Sequence, residues 1–116
     1  MREVNRNPGM DRQQRIHLFS LAAHRLAVER LRQDPARLSE AVGVLQRWRE
    51  RAGGASSCDR YWDEWEQLLR AGPDAVEAAV CSPGDRAATL RSASPLGRFI
   101  TIAERTRLLR EASTPP

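Results

Sequence analysis

Apolar residues recur every three or four positions along most of the chain, which is the spacing that places them on one face of an α-helix. The first such stretch runs from Asp11 to about Gln33, and the second runs from Pro35 to Gly53. Asp34 and Pro35 separate them, because a carboxylate can cap main-chain amides and a proline already has the backbone torsion of a first helical residue. The apolar positions are Ile16, Phe19, Ala23, Leu26 and Ala27 in the first stretch, and Leu38, Ala41, Val42, Leu45 and Trp48 in the second.

Shorter apolar stretches follow these two. After the glycine- and serine-rich loop at 53–57, the same spacing predicts a third helix that holds most of the aromatic side chains. A glycine or a serine followed by proline, at 72–73 and at 82–83, predicts two short helices over about 73–81 and 83–91. The apolar face of the third helix consists of Tyr61, Trp62, Trp65, Leu68 and Leu69.

The last helix is marked by residues that can bond its free main-chain amides. Thr101 and Glu104 have the spacing of a capping box, in which each side chain accepts a hydrogen bond from the other residue's amide. Ser82 and Asp85 have the same spacing with a less usual partner, and a Ser-Pro pair at 94–95 predicts one further turn. The sequence therefore predicts a final amphipathic helix that begins after Thr101.

The pattern as a whole predicts an all-α protein, because no stretch shows the alternation of apolar and polar residues typical of strands. We expect a compact bundle of about five to six helices, with a hairpin of the two long N-terminal helices closed by the shorter C-terminal helices. The predicted organisation is a flexible N-terminal arm at 1–10, a single helical domain at 11–112 and a tail at 113–116.

Length and composition narrow the class of protein. The chain has 116 residues, which is room for one small domain. It has no apolar stretch long enough to span a membrane, and its N-terminal residues lack the apolar segment of a signal peptide. We therefore expect a cytoplasmic protein that does not associate with membranes, in which Cys58 and Cys81 are free thiols.

All 19 basic residues are arginines, and they are unevenly distributed. Residues 1–51 contain 11 arginines against 6 acids, residues 52–83 contain 2 against 6, and residues 84–116 contain 6 against 3. Two basic segments could pack around the acidic one, or separate surfaces could attract different partners. The sequence leaves both interpretations open and favours the internal pairing.

Candidate catalytic groups are few. Ser20 and His24 are four residues apart and could form a nucleophile and base, but the sequence indicates no orienting acid and no oxyanion site. His17 and His24 are seven residues apart, whereas a helical metal pair is usually spaced by four. The acidic run at 59–66 is explained by the helix dipole and by a pair with Arg70. We expect no metal site, no cofactor and no enzymatic activity.

The arginines make nucleic-acid binding the alternative function, because clustered cations are expected where a protein contacts phosphates. Several of them have an acid nearby on the same helix: Glu29 is close to Arg25 and Arg32, and Glu104 is close to Arg107. No helix-turn-helix pattern with base-reading side chains occurs. The alternative is therefore a small arginine-rich regulator that contacts the nucleic-acid backbone.

A set of spaced residues is the most distinctive pattern of the chain. It comprises Tyr61-Trp62-x-x-Trp65-x-x-Leu68-Leu69, Gly72-Pro73-x-Ala75-Val76, Leu90-Arg91-x-x-Ser94-Pro95-Leu96 and Glu104-Arg105, with His24-x-x-Ala27-x-x-x-Leu31-Arg32-x-Asp34-Pro35 and Arg47-Trp48 upstream. Over most of residues 12–112 this pattern resembles a group of small all-helical bacterial proteins that are encoded beside toxin genes and look like antitoxins. The resemblance implies that the chain binds and neutralises a partner protein.

We therefore expect a non-enzymatic module that covers the functional cleft of a toxin encoded nearby, and a homodimer is left open. Tryptophan is common both in helical cores and as an anchor in protein interfaces. The candidate partner-binding residues are Trp62, Trp65 and Phe99 as apolar anchors, and Arg25, Arg32, Arg47 and Arg51 at the rim.

Overall fold

The computed structural model describes residues 11–113, in which six α-helices and one 3₁₀ turn are present and no β-strand occurs. The elements are α1 (Arg12–Gln33), α2 (Ala36–Ala52), α3 (Asp59–Ala71), α4 (Pro73–Val80), α5 (Asp85–Ser92), the 3₁₀ turn Gly97–Phe99 and α6 (Ile102–Ala112). The expected all-α bundle of about six helices is confirmed. The predicted arm at 1–10 and positions 114–116 of the predicted tail lie outside the described residues.

The connection between the two long helices follows the sequence prediction closely. The Asp34 carboxylate accepts a hydrogen bond from the Ala36 amide at 3.2 Å. Pro35 is the residue before the helix and α2 begins at Ala36, one position later than predicted. At the other end, Gly53 adopts the left-handed backbone conformation (φ 69°) that ends many helices and that favours glycine.

The two predicted capping boxes have different outcomes. Thr101 and Glu104 form theirs: the threonine hydroxyl accepts from the Glu104 amide at 3.1 Å, and the Glu104 carboxylate accepts from the Thr101 amide at 2.9 Å. The box predicted at Ser82 is wrong, because the Ser82 hydroxyl donates back to a carbonyl of α4. α5 instead begins at Asp85 after Gly84, which has no side chain with which to cap it.

The helices pack around α1, whose apolar residues cover a broad arc. α1 contacts α6 and α4 more extensively than it contacts α2, while α2 packs on α3 and α3 packs on α4. The two N-terminal helices therefore meet, but the later helices supply most of the packing on each. The largest fully buried side chains are Trp65, Leu31, Leu45, Leu69, Leu96, Val28, Val76 and Val80. None of the described helices has the length and apolar character needed to cross a membrane.

The acidic middle of the chain pairs with the basic N-terminal half, as expected. Arg32 on α1 contacts Asp74 at 2.8 Å and Glu77 at 2.6 Å, both on α4, rather than the Glu29 of its own helix. Arg49 on α2 contacts two carboxylates of α3 at 2.9 and 3.1 Å. These pairs link helices that are distant in sequence, and they neutralise part of the basic excess within the fold.

Candidate functional site

Two of the three expected aromatic anchors belong to the core. Trp65 is completely buried, and its indole Nε1 donates to the Leu90 carbonyl at 2.8 Å, so the polar atom is satisfied inside the protein. Phe99 is 7% exposed and lies beneath the Arg37 guanidinium. Both side chains are therefore core residues in this fold and leave little or no surface for a partner, so their role as anchors stays a prediction. Trp62 is half-buried and remains at the edge of the core.

The exposed face of α2 brings two of the expected arginines together with a tryptophan. Arg47 and Arg51 are exposed and lie one turn apart, with the half-buried Trp48 between them in the sequence. The Trp48 ring is 6.3 Å from the Trp62 ring, measured between centroids. A shallow depression beside them defines what we call the basic tryptophan surface. Its residues are Val44, Arg47, Trp48 and Arg51 from α2, and Pro95 and Arg98 from the segment before α6.

The charges on the basic tryptophan surface are only partly balanced. Arg98 contacts the Glu40 carboxylate at 3.0 Å. Within residues 11–113, neither Arg47 nor Arg51 has a carboxylate partner, whereas Arg49 between them is paired with α3. Two guanidinium groups that no described carboxylate pairs with therefore face solvent next to an indole ring.

The other two expected arginines lie elsewhere. Arg25 is exposed on α1, and Arg32 bridges to α4, where its hydrogen bonds with Glu77 and Asp74 raise the pKa of the guanidinium. Neither lines the basic tryptophan surface. The structure thus unites Arg47 and Arg51, and it separates them from Arg25 and Arg32.

A second feature is a cavity of about 200 Å³ between α1, α5 and the residues around the start of α6, which we call the α1–α5–α6 cavity. Its apolar wall is formed by Phe19 and Ala23 from α1 and by Leu96 and Ile100 from the segment before α6. Its polar side chains include His24, Arg91 and Arg105. The cavity is therefore partly apolar and carries positive charge.

His24 is 8% exposed, and its two ring nitrogens have different surroundings. Nδ1 bonds to the Ser20 carbonyl at 2.7 Å, so Nδ1 carries the proton, and Nε2 is left as an acceptor with no partner. Burial lowers the pKa of His24, the Ser20 bond opposes this, and the nearby Arg91 charge lowers the pKa further. The nucleophile-and-base arrangement considered for these residues does not form, since the bond is to the carbonyl of Ser20 and not to its hydroxyl.

Arg91 is 8% exposed and has no carboxylate partner among the described residues. Its Nη1 donates to the carbonyls of Val80 at 2.8 Å and Ser82 at 3.2 Å, at the C-terminus of α4, where the helix dipole favours a cation. Its Nε donor has no partner. Burial lowers the pKa of the guanidinium, which is nevertheless charged at neutral pH.

The other candidate groups from the sequence are the acidic run, a possible metal site and the two cysteines, and they do not form a further site in the described residues. In the acidic run, the Arg70 guanidinium holds the pKa of Glu66 below its usual range, with a smaller contribution from Arg49. Within residues 11–113, no three histidine, cysteine or acidic side chains are placed to hold a metal ion. Cys58 and Cys81 are free thiols.

Sequence reasoning missed the relation between His24 and Arg91, which lie 67 positions apart in the chain. The available signal was that Arg91 occupies an inward position of α5, four residues after Ala87 and next to Leu90.

No family model, curated protein or solved structure matches this chain.

Proposed function

We propose that this protein is a cytoplasmic, non-enzymatic binding module of the antitoxin kind, which neutralises a partner toxin by covering its functional cleft. The observation that carries the proposal is the basic tryptophan surface, where Arg47 and Arg51 face solvent with no carboxylate partner among residues 11–113. Other arginines, such as Arg30, Arg32 and Arg49, are instead paired with acids of other helices, and Arg47 and Arg51 differ from them in lying beside an indole. Cations left unpaired beside an indole are suited to an external acidic partner.

The chemistry of the surface fits protein recognition. Tryptophan and arginine are the residues most enriched among those that dominate the binding energy of protein interfaces. Trp48 and Pro95 supply an apolar centre, and Arg47 and Arg51 can each form two parallel hydrogen bonds with a carboxylate. The partner surface that fits is apolar at its centre and acidic at its rim. Charge complementarity would speed its association as well as orient it.

The first test is co-expression with the product of the neighbouring gene. The two proteins should purify together in a fixed ratio, and the neighbour should lose its toxicity. Arg47→Glu combined with Arg51→Glu should weaken the complex by at least about tenfold, because repulsion replaces attraction at the rim. Arg60→Glu is the matched control, since Arg60 is exposed on α3 and does not line this surface. A neighbour that stays fully toxic would contradict the function, and an unaffected double variant would contradict the surface.

Nucleic-acid binding is the second candidate because the same observation favours it. An indole flanked by cations can stack on a base while the cations contact phosphates, as in proteins that bind single strands. Trp48 between Arg47 and Arg51 has that composition. A gel-shift titration separates the candidates: nucleic-acid affinity should fall steeply as salt is added, and no binding at low salt would exclude this function.

A further inference from the structure

The α1–α5–α6 cavity is distinct from the basic tryptophan surface, although Ser94 and Gly97 border both, and it has the features of a small-ligand site. Its volume of about 200 Å³ is below the roughly 300–1,000 Å³ of pockets for drug-sized ligands, so it suits a small molecule. Phe19, Ala23 and Ile100 give it an apolar wall, and the polar groups converge from three different helices. An apolar wall with a few convergent polar groups is the usual composition of a binding site.

The charge of the side chains that line the cavity determines the sign of charge that a ligand would carry. Arg91 and Arg105 both line it, and no aspartate or glutamate among residues 11–113 does so. Arg105 lies at the more exposed side, with its guanidinium carbon 5.8 Å from the centroid of the Phe19 ring. Arg91 is buried, and only one of its nitrogens bonds to the main chain of α4 and the residues after it. A buried cation without a counter-ion is unfavourable, so an anion entering here would be stabilised.

The unpartnered atoms define the ligand further. Arg91 Nε is a donor without an acceptor, and His24 Nε2 is an acceptor without a donor. Both atoms have almost no accessible surface, even toward the cavity, but both residues border it, so a small rotation of either side chain would bring its unpartnered atom within reach of an occupant. A carboxylate accepts hydrogen bonds from the arginines but has none to give to His24. A hydroxyl group on the same molecule would supply that bond.

We propose that the α1–α5–α6 cavity binds a small hydroxy-carboxylate with an apolar body. The carboxylate lies between Arg91 and Arg105, the hydroxyl faces His24, and the body packs against Phe19 and Ile100. Binding completes hydrogen bonds that the free protein leaves unmade, and it connects α1, α5 and α6 through one molecule.

Three single-ring probes test the chemistry: 3-hydroxybenzoate, benzoate without the hydroxyl, and 3-hydroxybenzamide without the charge. Calorimetric titration of the full chain should show saturable binding of 3-hydroxybenzoate. Benzoate should bind several-fold more weakly, and the neutral amide at least about tenfold more weakly, because a site with buried polar groups rejects a ligand that leaves them unpaired. Absence of saturable binding, or an amide that binds as tightly as the acid, would overturn the proposal.

Variants locate the site. Ala23→Leu should abolish binding by filling the cavity with a residue that suits a helix, and Arg105→Gln should weaken binding at least about tenfold by removing the charge nearest to solvent. Arg107→Gln is the matched control on the same helix, since Arg107 is exposed and does not line the cavity. Thermal unfolding checks that each variant is folded.

An NMR titration should shift amides around the cavity in the unmodified chain. Shifts spread over surface arginines, or equal binding by the Gln variants at positions 105 and 107, would show nonspecific association and refute the site.

Discussion

Two adjoining regions of the interior are built differently. Around Trp65, large side chains fill the space, and the indole donor is satisfied by the Leu90 carbonyl. In the α1–α5–α6 cavity, small residues such as Ala23 line an unfilled space, and His24 Nε2 lacks a partner. The rings of His24 and Trp65 are only 6.3 Å apart, so the change occurs within one layer of packing. The two regions therefore differ in packing and in polar satisfaction: the region around Trp65 is filled and hydrogen-bonded, whereas the cavity leaves space and an unpartnered nitrogen.

The largest effect should come from emptying the filled region. Trp65→Ala should lower the free energy of unfolding by about 3–5 kcal/mol, because it removes a completely buried ring and leaves a cavity. Trp62→Ala is the comparison, since Trp62 lies on the same helix face but is only half-buried. Urea denaturation followed by circular dichroism measures both. Equal losses for the two variants would contradict the assignment of Trp65 to the centre of the core.

In the cavity region, burial of His24 should make the free energy of unfolding depend on pH. Burial holds the pKa of His24 below its ordinary value of 6.5, so the unfolded chain binds a proton before the folded chain does. Neutral His24 therefore contributes fully to the free energy of unfolding above pH 6.5. This contribution is lost as the pH falls below 6.5, with a limiting slope of about 1.4 kcal/mol per pH unit for one proton.

His24→Leu removes this titration while keeping an apolar side chain in the layer next to Trp65. As the pH is lowered from 7 to about 5, the free energy of unfolding of this variant should fall less than that of the unmodified chain. Other groups titrate in both proteins, so the difference between the two curves isolates His24. Stability curves that run parallel over this range would contradict the inference that His24 is buried and neutral.

A smaller effect is expected where α6 is fixed beside the cavity. Thr101→Ala removes one half of the capping box and should lower stability by about 1 kcal/mol. The other half, Glu104, also bonds to Arg30 of α1, and this contact, with a further contribution from the bond to the Thr101 amide, lowers the pKa of Glu104 to about 2. Thermal unfolding checks the change, with Thr106→Ala as the control because Thr106 is exposed in the middle of the same helix. A loss no larger than that of the control would show that the cap does not hold α6.

The sequence predicted what depends on neighbours in the chain. The helices and the Thr101–Glu104 capping box follow from spacings of three and four residues, and they form as expected. The sequence could not separate Trp62 from Trp65, because both occupy the same apolar stripe. Burial of Trp65 depends on Leu90, which lies 25 positions later and supplies the carbonyl. Propensity along one helix carries no information about which helix packs over it.

The candidate sites were harder to predict for the same reason. Arg32 pairs with Asp74 across 42 positions, although Glu29 on its own helix was the expected partner. Local spacing identified acids that were available, whereas the packing of α1 on α4 decided which acid was used. That Arg47 and Arg51 have no carboxylate partner in the described part of the chain is likewise a property of the assembled bundle.

The smallest effect should come from a surface ion pair next to Trp65, the residue whose replacement should have the largest effect. Glu64 precedes Trp65 in α3; its side chain is 27% exposed and pairs with Arg86, whose side chain is 78% exposed. Exposed ion pairs contribute only a few tenths of a kcal/mol, because solvent screens the attraction and ordering two long side chains costs entropy. Arg86→Gln should therefore lower stability by less than about 0.5 kcal/mol, and added salt should remove the difference. Chemical denaturation with urea at low and high salt measures it. A loss of several kcal/mol would show that the outer face of α3 matters as much as the buried face, and the contrast between filled core and open cavity would no longer explain the stability of this bundle.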